Sequence, residues 1–122
     1  MVRNRDFINR SITALETKFE ALRRHVERGW SVEDFEKHLK DAESAMRAIR
    51  QNIYIDRNSD ILAKELTRVD KSLAALRKYI GGRVPVEEYL KAIDHGEKAL
   101  EALDMAVQRE PVDGTEITTK RT

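Results

Sequence analysis

His38 stands between Lys37 and Lys40, so its imidazole could take up a phosphoryl group with cations close by. Glu33, Glu36, Glu97, Glu101 and Asp104 offer carboxylate oxygens of the kind that hard divalent cations prefer. A third set, Arg23, Arg24, Arg28, Arg77, Lys78 and Arg83 with Trp30 among them, has the ingredients of a nucleic-acid surface. Cations would contact phosphates and the indole would stack a base. Each chemistry depends on how the fold places these residues, and each has a plainer competitor.

Phosphorelay through His38 is the remotest of the three. Histidine phosphotransfer domains carry a lysine-glycine step after their histidine, whereas this chain reads His38-Leu39-Lys40-Asp41-Ala42. A solvated side chain on a charged helix accounts for His38 more simply. The carboxylates do not reproduce the paired Glu-x-x-Glu elements of helical nucleotide pyrophosphohydrolases, and acidic residues near helix starts already suit the helix dipole. A dimetal centre in a bundle needs Glu-x-x-His pairs, but Leu22, Phe35 and Ala92 precede the three histidines at that spacing. With no cysteine, thiolate metal sites and disulfides are excluded. Neither metal nor cofactor is expected, no catalytic residue is assigned, and the chain reads as a non-enzyme.

The positioning elements follow from an internal repeat. Residues 6–53 align without gaps to residues 60–107 at an offset of 54, with 11 identities in 48 pairs, among them Ala21-Leu22-Arg23 with Ala75-Leu76-Arg77 and Glu43 with Glu97. Self-similarity of this kind dictates architecture before anything else. Apolar residues recur at alternating steps of four and three: Ile8, Ile12, Leu15, Phe19, Leu22, Val26, then Val32, Phe35, Leu39, Ala42, Met46, Ile49, Ile53. Shifted by the same offset, the stripe returns as Leu62, Leu66, Val69, Leu73, Leu76, Ile80, then Val86, Tyr89, Ile93, Gly96, Leu100, Leu103, Val107. Such spacing puts each set on one helical face. The expected fold is all-α, an antiparallel up-down-up-down four-helix bundle of two repeated helical hairpins with left-handed supercoiling.

Gly29 suits a left-handed helix end and Ser31 a following N-cap. Gly81-Gly82 stops the third helix, and Pro85 fits a first-turn position of the fourth because its missing N–H would have had no intrahelical partner. Tyr54 to Ser59 connects the hairpins, with Asn58 or Ser59 available to cap the third helix. Ala42 and Gly96 are small where neighbouring layers are large, and antiparallel register sets them against Phe19 and Leu73; Gly96 reads as a close-approach site. The bundle is assigned to residues 1–110, and the threonine-rich stretch 111–122 to a flexible C-terminal tail.

Net charge is +1, and 37% of residues are charged. Residues 1–54 carry 11 basic and 9 acidic side chains, so no half is a polyanion-binding arm. No apolar run is long enough for a membrane span, and a soluble, cytoplasmic protein without membrane contact is expected. The favoured function is a non-catalytic interaction or assembly module, an adaptor that binds a protein partner or a second copy of itself. Its contact would be a bundle face, the Trp30 end or the tail. Nucleic-acid binding through the basic, Trp30-containing end is the alternative. Function should lie where the repeats differ, including Trp30 against Val84 and His38 against Ala92.

Overall fold

Each apolar stripe lies on a helix of its own in the computed structural model, which describes residues 4–29, 31–53 and 60–109. Helices α1 (Arg5–Glu27), α2 (Val32–Gln51), α3 (Asp60–Ile80) and α4 (Val86–Arg109) follow one another, and no strand occurs among the described residues. The chain is a four-helix bundle. Around the ring, α1 touches α2 and α4, while α3 touches α2 and α4, with the most extensive contact within each hairpin. Cross-helix pairs descend in number along the partner helix, as antiparallel neighbours require: Arg50 meets Asp70 where Glu43 meets Arg77. The connector 54–59, the tail and Trp30 lie outside the described residues.

Local signals start and stop the helices as the chain chemistry suggests, with two adjustments. Asn4 caps α1, its side-chain oxygen accepting from the Phe7 N–H at 3.0 Å. Gly29 has φ +76°, the left-handed conformation that glycine tolerates without a Cβ clash. Ser31 occupies the N-cap position of α2 in an extended conformation but makes no side-chain cap. Its hydroxyl instead faces the Glu33 carboxylate at 3.3 Å, leaving its carbonyl to accept from Phe35 N–H. Pro85 sits immediately before α4 and not in its first turn, its carbonyl accepting from Glu88 N–H at 3.0 Å.

The core is the union of the four stripes. Every expected stripe residue is buried except Val32, Ile80 and Val86. Val32 and Val86 are repeat equivalents at the first turns of α2 and α4, where no further layer covers them. Phe19 and Phe35 are the bulkiest fully buried side chains. Burying one Leu, Ile or Phe contributes roughly 1.5–3 kcal/mol, so the shared axis dominates the stability of the bundle. One buried charge, Glu65, lies off the stripes and is neutralised by Arg68, whose Nη1 donates to both carboxylate oxygens at 2.9 and 3.0 Å.

Gly96 lets α4 approach the rest of the core. A Cβ added there would lie 2.6 Å from Phe19 Cζ and closer still to Ser72 Oγ. Ser72 in turn donates to the Ala92 carbonyl at 2.5 Å, tying α3 to α4 at the same level. Phe19 is fully buried and Ser72 is held by that bond, so neither side chain can swing away cheaply. Gly96→Ala is therefore expected to destabilise the bundle. Overpacking of about 1–3 kcal/mol outweighs the gain of about 1 kcal/mol from removing a mid-helix glycine. Urea unfolding should give a lower midpoint at unchanged m-value; a raised midpoint would mean that the helices separate without cost.

Candidate functional site

The repeat makes the seams of the bundle comparable in pairs. The α1–α4 seam corresponds to the α3–α2 seam, and both are closed by the same ion pair. Arg23 binds Glu97, and its repeat equivalent Arg77 binds Glu43 at 2.6 Å. Arg23 also holds Asp94 at 2.6 Å, and Arg77 reaches Glu36 at 3.4 Å. Hydrogen bonding to Arg23 holds the Asp94 carboxyl below its ordinary range. On Arg77, the bond to Glu43 raises the guanidinium pKa; on Arg23, burial works the other way but the bonds to Asp94 and Glu97 outweigh it.

These pairs change how the basic set is arranged. The spacing at the hairpin turns suggests one patch, but Arg23 and Arg77 face opposite seams and are committed to carboxylates there. Arg24 pairs with Glu20 on its own helix at 3.3 Å. Arg28, Lys78 and Arg83 are exposed and make no ion pair among the described residues. Trp30, the intended stacking platform, lies outside the described residues.

His38 is brought into the α1–α2 seam rather than left in solvent. Its Nδ1 lies 3.4 Å from Lys18 Nζ, Lys18 is ion-paired with Asp41 at 3.1 Å, and the His25 ring stands 5.0 Å away. An ammonium only donates, so Nδ1 is the acceptor and the neutral ring carries its proton on Nε2. In that tautomer the ring's lone pair is on Nδ1, where Lys18 stands, and not on Nε2. Burial first, then the charges of Lys18 and His25, lower the His38 pKa against the weaker pull of Asp41 and Asp34.

The equivalent α3–α4 seam is closely packed at its base but grooved at its surface. Replacing residue for residue, Lys18 becomes Ser72, His38 becomes Ala92, His25 becomes Tyr79 and Asp41 becomes His95. Where long side chains cross the first hairpin, the second has a groove of about 500 Å³. Buried Ser72 and Ala92 and half-buried Ala75 form its floor, and exposed Arg68, Lys71, Lys91 and His95 form its rim with one acid, Glu88. Tyr79 walls one end, packed edge-on against Tyr89 with ring centroids 5.4 Å apart. Burial raises the Tyr89 pKa above its ordinary value.

Of these groove residues, the sequence reading marked only the His38-to-Ala92 exchange. The Lys18-to-Ser72 exchange carries equal weight, and comparing the repeats at every half-buried position would have found it. Among the described residues, no group of three or more His, Cys, Asp or Glu side chains converges to hold a metal ion, and no helix is long and apolar enough to cross a membrane. Compared with known proteins, the chain has no significant match among family models, curated proteins or solved structures.

The lowered His38 pKa has a definite sign. The unfolded chain binds the proton more readily than the native seam does, so this contribution to stability is full above about pH 6.5, the ordinary histidine value. It is lost as the pH falls from there through the lower native pKa. Urea midpoints measured at about pH 7.5 and pH 5.5 should fall on acidification, and His38→Gln should reduce that fall. An unchanged fall in the variant would assign the effect to other groups.

Proposed function

We propose that the protein is a non-catalytic helical interaction module, an adaptor whose α3–α4 face docks a protein partner. The observation that carries this reading is the contrast between two seams built from equivalent residues. Lys18, His38 and Asp41 bridge one, and small residues leave the other as a groove floored by Ser72, Ala75 and Ala92. Grooves between helices are a recurrent docking geometry for partner segments. A scaffold needing only stability gains nothing from such an opening, because filled seams bury more area. The α2–α3 seam carries a smaller depression of about 290 Å³ beside the Arg77–Glu43 pair, and one of about 450 Å³ on α1 is lined by that helix alone, whereas the α3–α4 groove is framed by two helices.

The repeat itself supplies the test. Ser72→Lys, Ala92→His and His95→Asp together install on the second hairpin the side chains that already span the first, in exchange for the Ser72 bond to the Ala92 carbonyl. Full-length wild type used as bait in extracts of its native host should retain a partner that the groove-filled chain loses by at least about tenfold, the usual scale of a lost central contact. Circular dichroism and thermal unfolding check that the variant keeps its helices. Equal retention by both chains would remove the groove from the function.

A further inference from the structure

Resting on the groove as the docking face, we infer that its occupant is an acidic amphipathic helix of a protein partner. Two features of the same surface define that chemistry. The first is the sign of the rim. Lys71 on α3 and Lys91 on α4 stand on opposite sides and make no ion pair among the described residues. Arg68, already paired with Glu65, and His95 continue the rim, so its uncommitted positive charge is that of Lys71 and Lys91, with Glu88 as the one acid among the lining residues. Since the whole chain carries only +1, this is a local concentration of positive charge and not a general property of the surface. Complementary charge across a groove fixes orientation and partner choice.

The second feature is shape. Arg68, Ser72, Ala75 and Tyr79 follow one another at steps of four, three and four along α3, the spacing of a single helical face. They span about 16 Å at the rise of an α-helix. A third helix laid along that face would set apolar side chains on Ala75 and Ala92 and its carboxylates against Lys71 and Lys91. Single-stranded nucleic acid fits less well, because a stacked base needs an open aromatic face. Tyr79, the aromatic of this groove, is half-buried and engaged with Tyr89.

A displayed library of random peptides of about 16 residues, long enough to overspan the groove as a helix, tests this without presupposing a sequence. The full chain is the target and the groove-filled chain the counter-target. Enriched clones should carry net negative charge and apolar residues at steps of three and four. Their binding should weaken with added salt and fall at least about tenfold on Lys71→Glu with Lys91→Glu. Clones that avoid the groove-filled chain but are neutral or basic would overturn the acidic occupant and leave the docking face standing. If no clone distinguishes the two chains, both readings fall. A fluorescent oligothymidylate, run in parallel, would overturn the peptide assignment if it bound the wild type, lost binding on the same charge reversal and displaced the clones.

Discussion

Neither hairpin can bury its own apolar stripe. A pair of helices leaves half of each stripe in water, and a second pair with the same spacing is the nearest complement available. Everything else in the bundle follows from two copies of one hairpin sharing one axis. Because the copies face each other, a residue and its repeat equivalent each meet the other's partner. This explains why Arg23 and Arg77 are identical, and why Glu43 and Glu97 are identical. Half-exposed ion pairs contribute only about 0–1 kcal/mol, so the buried stripes supply the stability and the pairs favour one register of hairpin on hairpin.

Departures from the repeat then have local consequences that can be followed seam by seam. Gly96 in place of an alanine draws Phe19 and Ser72 against α4, and Ser72 in place of a lysine can bond the Ala92 carbonyl at that short range. The same substitution leaves no long side chain to cross the surface of the α3–α4 seam. Inter-hairpin seams diverge in charge as well. Arg50 pairs with Asp70 on the α2–α3 side, whereas the equivalent positions across α1 and α4 are Asp104 and Glu16. Burial, followed by the nearby Asp104 and Glu101 charges, raises the Glu16 pKa. The two sides thus share a frame and differ in what they present.

Spacing alone reveals the helices, their stripes and the Phe19–Gly96 approach, because period and side-chain size are local properties of the chain. Gly29 and Pro85 mark their turns for equally local reasons. The basic set was misleading because the sequence places Arg23 and Arg77 near turns but does not say which seam each guanidinium faces. Their carboxylate partners lie more than thirty residues away in the chain. The groove was still harder to read. It arises from side chains that are absent relative to the other repeat, and an opening between Ser72 and Ala92 has no motif. Only the paired comparison of Lys18 with Ser72 and His38 with Ala92 exposes it.

Agreement between the repeats thus builds the scaffold, and disagreement opens the α3–α4 groove that we propose as the docking face. Hydrogen–deuterium exchange of the full chain, free and bound to its native partner, tests that division most directly. New protection should concentrate in residues 68–79 and 88–95, on the two helices that frame the groove. Protection of the equivalent stretches 14–25 and 34–41, or of the turns after α1 and α3 alone, would contradict it.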